Sequence, residues 1–496
     1  MRLFAFWEHF SIACFSKKTK ISHVMTNRAA REKKSTVDMT TGNLFLKIIL
    51  FALPVMATTA MQLLYVTIDL TTVHYGDSAE SMGAIASNNA LINLIVVFFT
   101  GLSLGVNVIM SEAKGAGRKE KAESVMHTSL LFALISGVGV GLLGFFISDN
   151  LLELMGTEPI YMEKAALYLK IYFTGLPFLM IYNYAAQMLR AQGDSQTPFF
   201  ILVISGIINV AFDCLFVFPF KMGVAGVALA TVIAEGVSCV LTVIALAKGR
   251  KAYVRFSFKR LRIEGPALRE VLRVGLPAGL QGFFFCLPNV FIQSSLYTID
   301  PGNIALENGA TASANVEGYF QTAVDAITTS VMTFVAANAG AKKPGNIKKV
   351  ALYGLAWGSV FIALIALITA FLYRPLLSLF VDGEESIGYG AQRLRVMGYL
   401  YFFELTMHLT ASVLRGLRYS AFPMWTTLIF CTVLRIVLIY TVFPLEYFHT
   451  LVWLYALFPI TWALATLSNG IAMIAVVPKA LQALQPKSEE ALSSAD

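Results

Sequence analysis

The chain repeats itself at a fixed distance of 225 residues. Leu-Arg-Ala at 189–191 returns as Leu-Arg-Gly at 414–416, and a proline follows each motif at the same spacing, Pro198 and Pro423. A constant offset over so long a stretch indicates a duplicated structural unit. Both copies consist of membrane-length apolar segments. A duplicated bundle of that kind is typical of a transporter whose substrate site lies between its halves.

The composition places the chain in a membrane. Of its 496 residues 57% are hydrophobic and 14% are charged, whereas a soluble domain carries roughly 25% charged residues. The net charge of +8 predicts no nucleic-acid partner, because the basic residues lie in short loops between apolar segments, where membrane topology accounts for them. The five cysteines form no CxxC pair, so we expect neither a disulfide framework nor a metal site.

Twelve apolar segments are long enough to cross about 30 Å of hydrocarbon. The predicted transmembrane spans are 44–74, 83–110, 124–148, 161–189, 198–219, 223–247, 267–299, 312–338, 350–373, 390–414, 423–444 and 450–476.

The charge of the loops alternates along the chain. Loops after the even-numbered spans are basic, as in Lys114–Lys121, 248–262 and Lys342–Lys349, and the loops between them are acidic. The positive-inside rule then predicts a multi-pass plasma-membrane protein with both termini in the cytoplasm. Because six is an even number, the two halves share one orientation and are parallel repeats. The predicted fold is therefore an all-α integral membrane protein with 12 transmembrane helices in two six-helix lobes.

The spans also set the expected domain boundaries. We predict a disordered basic cytoplasmic tail at 1–41, in which Met25 and Met39 are alternative starts. The other predicted parts are an N lobe at 42–247, a cytoplasmic linker at 248–265, a C lobe at 266–477 and a cytoplasmic tail at 478–496.

Polar residues on the spans of the first half predict a pocket inside the N lobe. Gln62, Tyr65 and Asp69 share one helical face of span one, and Asn209 and Asp213 share a face of span five. Two carboxylates in such a pocket can bind a proton or Na⁺. The alternative is that Asp69 lies near a membrane surface and Asp213 caps a helix. The remaining polar candidates on these spans, and the proline that permits a bend in span one, are Tyr168, Asn183, Thr231 and Pro54.

The second half lacks the two acids of the first. The offset of 225 carries Asp213 onto Leu438, and the offset of 223 that aligns Pro54 with Pro277 carries Asp69 onto Ile292. A residue that is present in only one copy of the repeat is less expected to have a structural role, because both copies share the same scaffold. The asymmetry therefore favours a functional role for both acids.

The second half has polar candidates of its own. Glu317, Gln321 and Asp325 share a face of span eight, and Glu404 and His408 share a face of span ten. These form either a second ion site or buried structural pairs. The main alternative is an ion pair between Glu404 and Arg435 of span eleven. We expect Glu235 of span six near a helix end and assign it no role.

Other motifs limit the possible functions. Gly101-x-x-x-Gly105 and Gly137-x-x-x-Gly141 are small-residue patterns that pack membrane helices. Residues 101–105 also read GxSxG, but a catalytic serine elbow needs a strand-to-helix turn, which a mid-span position lacks. The chain has no GxxxxGK[ST] phosphate loop and no HExxH motif, so we predict no enzyme activity, no cofactor and transport driven by an ion gradient.

One loop carries a family resemblance. Residues 189–198, Leu-Arg-Ala-Gln-Gly-Asp-Ser-Gln-Thr-Pro, resemble the LRAxGDxxxP loop of the multidrug and toxic compound extrusion (MATE) family. Residues 112–117 and the basic helix start after them are similar to that family's loop after span two, and the likeness extends over about 42–478. The resemblance implies two lobes in a V around a central cleft, and export of organic cations and amphipathic drugs by H⁺ or Na⁺ antiport.

The resemblance also implies roles for particular residues. The DinF-like branch couples transport to an N-lobe cluster whose pattern matches Pro54, Gln62, Tyr65, Asp69, Asn209 and Asp213, with Tyr168, Asn183 and Thr231 as its remaining members. The other branch uses a span-seven Glu, and the nearest residue here is Gln281, which cannot ionise. Glu317, Asp325, Glu404 and His408 keep C-lobe coupling open. In the second copy of the loop, 418–420 read Arg-Tyr-Ser in place of Gly-Asp-Ser.

The leading prediction is a monomeric secondary antiporter that works by alternating access. Its partners would be a small cationic or amphipathic substrate and membrane lipids, with H⁺ or Na⁺ as the coupling ion at Asp69 and Asp213. The alternative is a flippase or exporter of a lipid-linked or polysaccharide substrate. Such proteins tend to have more spans and a cationic cleft, whereas Arg435 is the main mid-span cation here.

Overall fold

The computed structural model describes residues 36–249 and 252–484, and within these ranges twelve long helices form an all-α bundle. They belong to one compact unit that begins at Asp38. The helices are α1 Leu44–Gly76, α2 Ala79–Gly115, α3 Lys119–Leu154, α4 Pro159–Ala191, α5 Gln196–Val217, α6 Gly223–Lys248, α7 Gly265–Ile299, α8 Ile304–Gly340, α9 Pro344–Leu377, α10 Glu384–Gly416, α11 Ala421–Thr441 and α12 Leu451–Leu484. Nine of the twelve predicted spans lie wholly inside these helices, in order. Spans five and eleven were predicted two and three residues too long at their ends, and span twelve was predicted to begin one residue too early. We call α1–α6 the N lobe and α7–α12 the C lobe.

Two helices of the C lobe are irregular. α7 consists of Gly265–Cys286 and Pro288–Ile299, joined at Leu287, because Pro288 has no N–H with which to continue the ladder. α11 widens into a π-helix over Thr427–Leu434. Such π segments occur frequently at functional sites. The corresponding α1 and α5 of the N lobe are continuous helices.

Ten of the twelve helices are long and apolar enough to cross a membrane by length and composition. The other two, α8 and α10, are as long, with 37 and 33 residues, but carry buried charges in their interiors. These include Glu317 on α8 and Arg393 and Glu404 on α10. The two most polar helices of the bundle therefore place their charged groups inside the C lobe.

The helix boundaries repeat at the sequence offset. Both ends of α2 and both ends of α4 lie 225 residues before the ends of α8 and α10. The loops follow the same rule: Gly117 and Lys342 have φ of 70° and 54°, and Gly193 and Arg418 have φ of 91° and 70°. The duplicated sequence thus encodes the same turns, even where the second copy has a side chain that disfavours a left-handed backbone.

Each lobe has its own buried core and an apolar outer surface. Phe173 and Tyr184 lie in the N-lobe core, and Leu405 and Trp462 lie in the C-lobe core. The repeat-equivalent Phe146 of α3 and Phe371 of α9 are 74% and 78% exposed. Large apolar side chains exposed at equivalent places on both lobes are suited to contact lipid.

Glycines bring the two lobes into backbone contact. A Cβ atom on Gly101 would lie 2.6 Å from the Cα atom of Gly279, and one on Gly105 would lie 2.8 Å from the backbone nitrogen of Gly275. The small-residue pattern on α2 therefore packs against a second one on α7. The predicted packing role of Gly101 and Gly105 is confirmed. Gly137 and Gly141 pack instead within the N lobe, against α4.

The lobes also meet at the end of the bundle where α2, α4, α8 and α10 finish, which we call the basic end. Gly115 lies against the carbonyl of Ala337, and Gly340 against that of Glu112, in a symmetric crossing of α2 and α8. Arg418 bridges Glu112 of the N lobe and Glu270 of the C lobe, and the Glu270 contact measures 2.9 Å. Backbone and ionic contacts thus join the two lobes here.

The ends of the described chain differ from the predicted tails. Residues 1–35 and 485–496 of those tails lie outside the described ranges. The predicted disorder is wrong for the segment before α1: Met39 is buried, and its carbonyl accepts a 2.8 Å hydrogen bond from Asn338. The Thr40 carbonyl accepts from Lys343 and Asn346 at 3.0 Å. At the other end, α12 continues to Leu484, beyond the predicted boundary at 478.

Candidate functional site

The two acids predicted to form the N-lobe site are both buried. Asp69 of α1 is 7% exposed and Asp213 of α5 is fully buried. Neither carboxyl group caps a helix: Asp69 lies within α1, and both Asp213 oxygens lack a hydrogen-bond partner among the described residues. The structure therefore places both acids inside the N lobe, and not at a membrane surface or at a helix cap.

Three other side chains, each from a different helix, surround these acids. Thr231 of α6 donates a 3.3 Å hydrogen bond to Oδ2 of Asp69. Asp213 and Asn209, one turn apart on α5, lie beside the same carboxyl group. Tyr168 of α4 interacts electrostatically with both acids. The structure thus brings five of the predicted residues together.

The cluster has many unused polar atoms. Asp69 Oδ1, both oxygens of Asp213 and both amide atoms of Asn209 are buried without a hydrogen-bond partner in the described part of the chain. Leaving a buried polar atom unpaired costs about 1–3 kcal/mol. Two adjacent carboxyl groups with no cation beside them favour uptake of a proton or a monovalent cation, because the added charge offsets their repulsion.

The remaining predicted residues lie deeper in the lobe. The Tyr65 hydroxyl donates to the carbonyl of Leu202 and so joins α1 to α5. Gln62 lies on the same helix, about one turn farther from Asp69 than Tyr65 does. Asn183 follows Tyr168 by 15 residues on α4, or about 22 Å of helix rise. The structure does not bring Asn183 into contact with the two carboxyl groups.

Pro54 lies inside a continuous α1, two turns before Gln62. Thr58 donates a 2.7 Å hydrogen bond to the Pro54 carbonyl. A threonine that bonds back to the preceding turn often accompanies a bend. The backbone of α1 therefore has its weak point between the basic end and the acid cluster.

Glu235 is a further acid of this lobe, and the expectation that it lies near a helix end is wrong. It lies in the middle of α6, 12 residues after Gly223 and 13 before Lys248. Its carboxyl group interacts electrostatically with Asp69. The sequence signal for its position was its spacing of four from Thr231, which places both on one helix face.

In the C lobe, one predicted candidate is held in an ion pair. Arg393 donates two hydrogen bonds of 2.9 Å to the two oxygens of Glu317, and both residues are buried. The Arg393 guanidinium also lies over the Tyr455 ring, 5.5 Å from its centre. Sequence reasoning missed Arg393, because helix rotation decides whether a charge near a span end points inward. Glu317 therefore pairs with a cation and is poorly placed to bind an ion.

The alternative ion pair between Glu404 and Arg435 is not formed. Arg435 donates to Thr461 at 2.6 and 3.2 Å, and its guanidinium lies 4.3 Å from the centre of the Phe458 ring. Among the described residues, the nearest basic group to Glu404 is His408, at 3.9 Å. The π segment just before Arg435 shifts the register of α11, which sequence periodicity does not reveal.

Asp325 and Glu404 remain as a second acid pair. Asp325 accepts a 3.2 Å hydrogen bond from Gln321, as the spacing of four predicts. Glu404 interacts electrostatically with Asp325, and its Oε2 atom is buried without a partner in the described chain. Gln281 of α7 accepts a 2.6 Å hydrogen bond from Arg415. Two arginines interact with the C-lobe pair, Arg415 with Asp325 and Arg435 with Glu404, whereas no cation in the described part of the chain interacts with the N-lobe pair.

The residues of the described ranges include no group of three or more His, Cys, Asp or Glu side chains that could hold a metal ion. The oxygen atoms of Asp69, Asp213, Asn209 and Thr231 are the hard ligands that an alkali cation prefers.

Comparison with known proteins identifies the family. The MatE family model matches residues 54–215 and 302–441. The chain is 26% identical over 437 residues to the probable multidrug resistance protein YoeA of Bacillus subtilis, covering 83% of this chain and 93% of that protein. It is 32% identical to the probable multidrug resistance protein YpnP of the same organism, covering 49% of this chain and 54% of that protein.

A solved structure has the same fold. The MOP superfamily transporter from Pyrococcus furiosus aligns with a TM-score of 0.81 at 21% identity, covering 90% of this chain and 98% of that one. The two matches of the family model coincide with the two copies of the repeat and span more than half of the sequence. The chain therefore belongs to the MatE family and is a membrane transporter with two lobes of six helices.

Proposed function

We propose that this protein is a secondary antiporter that exports organic cations or amphipathic drugs in exchange for H⁺ or Na⁺. The observation that carries the proposal is the pair of buried carboxyl groups, Asp69 and Asp213. Together with Asn209 they leave five buried polar atoms without a hydrogen-bond partner among the described residues. The multidrug resistance proteins to which the chain is similar support the substrate class. We also propose that the chain falls in the DinF-like branch, since Gln281 cannot ionise.

The geometry supports alternating access. The lobes are joined at the basic end through Gly115, Gly340 and Arg418, and the positive-inside rule makes this the cytoplasmic end. Asp69 and Asp213 both lie near the helix ends that are farthest from the basic end, on α1 and α5. The acid pair then lies closer to the external solution than to the cytoplasm, and the coupling ion enters from outside.

Ion binding and substrate binding would then compete through the shape of the N lobe. A proton or Na⁺ relieves the repulsion between the two carboxylates and lets α1 pack more closely on α5 and α6. The weak point at Pro54 lets the outer part of α1 move without the rest of the helix. Because each ligand stabilises a different lobe conformation, one is released when the other binds.

The proposal includes the location and extent of the protein. It is a plasma-membrane protein with both termini in the cytoplasm, whose monomer carries lobes at 42–247 and 266–477 joined by 248–265. A cysteine at the exposed Gln196 tests the orientation: labelling by an impermeant reagent is expected in everted vesicles and not in intact cells. Labelling in intact cells alone would reverse the topology.

Drug efflux in everted vesicles tests the function. A proton gradient and a Na⁺ gradient are imposed separately, and the accumulation of a fluorescent cation is measured. We expect accumulation with one gradient and none without a gradient. Transport that requires ATP, or selective movement of a lipid-linked substrate with no cation transport, would contradict the proposal.

A further inference from the structure

Glu235 is a half-buried acid whose Oε2 atom is fully buried, and the ion site described above does not use it. It lies on α6 one turn beyond Thr231, the residue that donates to Asp69. The rise of an α-helix places it about 6 Å farther toward the basic end than Thr231. Its Oε2 atom is buried and accepts no hydrogen bond from the residues that the structure describes.

The neighbouring helix is shaped around this carboxyl group. Gly175 of α4 faces it, and a Cβ atom at that position would lie 2.6 Å from Oε2 of Glu235. Any larger residue at 175 would therefore displace the carboxyl group. Gly175 lies on the same face of α4 as Tyr168 and Tyr172, whose rings stack 6.4 Å apart, and both tyrosines interact electrostatically with Glu235.

Among the described residues, no cation faces Glu235 from a helix that packs against α6. From α4 it meets Tyr168 and Tyr172, and from α1 it meets Asp69. α5 contributes Asp213, which contacts Asp69. Cys239 lies one turn along α6, and Cys214 follows Asp213 on α5. The cations of these helices lie elsewhere: Lys164 pairs with Glu80 and Lys170 with Asp149, while Lys47, Lys114, Arg190 and Lys248 lie near the basic ends of their helices and His74 near the other end of α1.

This environment favours a neutral carboxylic acid. A buried carboxylate with no counter-ion is costly in the membrane interior, and chains of such acids mark proton pathways in pumps and transporters. No hydrogen bond joins Glu235 to the Asp69 carboxyl group among the described residues. The two groups interact through charge alone, so loss of a proton at one raises the tendency of the other to take it up.

We propose that Glu235 is a third proton-binding carboxyl group of the N lobe, one turn deeper than the Asp69–Asp213 pair, through which protons move toward the basic end. This proposal rests on the antiport function proposed above. In the step, an O–H bond of Asp69 or Asp213 breaks and an O–H bond of Glu235 forms, and a water molecule between the two groups accepts the proton on one side and donates one on the other. Charge and atoms balance without any other reactant.

The test uses the full-length protein in proteoliposomes. Glu235→Gln keeps the shape of the side chain but cannot bind a proton, and Glu235→Asp keeps the carboxyl group. Asp149→Asn is the matched control, because Asp149 is an exposed acid paired with Lys170. Drug transport and proton movement are measured in the same vesicles from about pH 5.5 to about pH 8.5, a range of roughly three units centred on neutrality.

We expect Glu235→Gln to lower proton movement per drug molecule by about one and to slow gradient-driven transport at least tenfold, while drug binding changes less than twofold. Glu235→Asp should restore proton movement with a displaced pH profile, and Asp149→Asn should match the wild type. Wild-type proton movement in Glu235→Gln would overturn the proposal, as would failure of Glu235→Asp to restore it.

The two proposals fail in different ways. If the wild type moves drug only with Na⁺ and no protons, the role of Glu235 is overturned and antiport stands. If Asp69→Asn and Asp213→Asn leave transport unchanged, the proposed N-lobe coupling fails, whatever Glu235→Gln does.

Discussion

At the scale of single residues, Tyr65 is held in a space that glycine leaves open. The ring of Tyr65 packs on Gly206 of α5 so closely that a Cβ atom there would overlap it, and the hydroxyl donates to Leu202. Gly206 lies one turn before Asn209 and two turns before Asp213. The contact therefore fixes the distance between α1 and α5 just below the acid pair.

We predict that Gly206→Ala lowers stability and transport together. Forcing a methyl group into a filled space typically costs about 1–3 kcal/mol, and the displaced ring would change the separation of the two acids. Gly139→Ala on α3 is the control, since nothing lies within 4 Å of its added Cβ atom. The measurement is the thermal midpoint in detergent together with efflux. Equal midpoints for the two variants would show that the contact is dispensable.

The sequence predicted the residues of the ion site better than the partners of the buried charges. Asp69, Asn209 and Asp213 were found because their spacing puts them on inward helix faces and because the repeat lacks them. The partner of a buried charge was harder to predict. Helix rotation decides that Glu317 meets Arg393, and Arg435 meets Thr461 in place of Glu404.

At the scale of helices, the loop before α5 shows what the repeat conserves and what it changes. Asp194 accepts bonds from the backbone N–H groups of Gln196 and Thr197, at 3.2 and 2.9 Å, and so begins α5. Tyr419 stands at the equivalent place before α11 and has no carboxyl group to offer. The adjacent Arg418 is the repeat equivalent of Gly193 and has the same left-handed backbone conformation, but its side chain bridges the two lobes.

We predict that Asp194→Ala destabilises the protein by about 1 kcal/mol, because loss of a helix-capping side chain typically costs that much. Tyr419→Ala removes a 43% exposed side chain that caps nothing and should change stability less. Thermal midpoints of both variants at one scan rate decide between them. A larger loss for Tyr419→Ala would show that the capping contact is unimportant.

Helix positions followed from the sequence, because apolar length and loop charge determine where a span begins and ends. The break of α7 at Leu287 and the π segment of α11 were not predicted. Both alter the rotation of the helix without shortening its apolar stretch. A hydropathy pattern is therefore insensitive to them.

At the scale of the whole molecule, four charged residues connect the lobes at the basic end. Arg418 bridges Glu112 and Glu270, and Lys121 of the N lobe binds Glu270 at 2.7 Å. Two of these ion pairs, Arg418 with Glu112 and Lys121 with Glu270, cross from one lobe to the other. They must break when this end opens.

We predict that Arg418→Gln favours opening of the basic end by about 1 kcal/mol, which is the upper range for a partly exposed ion pair. This free energy changes the ratio of open to closed molecules about fivefold. Spin labels at the exposed, repeat-equivalent positions Glu120 and Gly345 should report a larger population of long distances. Arg260→Gln is the control, since the ion pair that Arg260 makes with Glu123 of the N lobe does not join the two lobes. An unchanged distance distribution would show that the glycine contacts close this end by themselves.

The central claim is that Asp69 and Asp213 couple the ion to transport, and gradient-driven efflux in proteoliposomes tests it most directly. Asp69→Asn and Asp213→Asn are each expected to abolish efflux at wild-type protein level and membrane insertion, while Glu404→Gln should have a milder effect. If both asparagine variants transport like the wild type, or if only Glu404→Gln abolishes transport, coupling belongs to the C lobe and the account is contradicted.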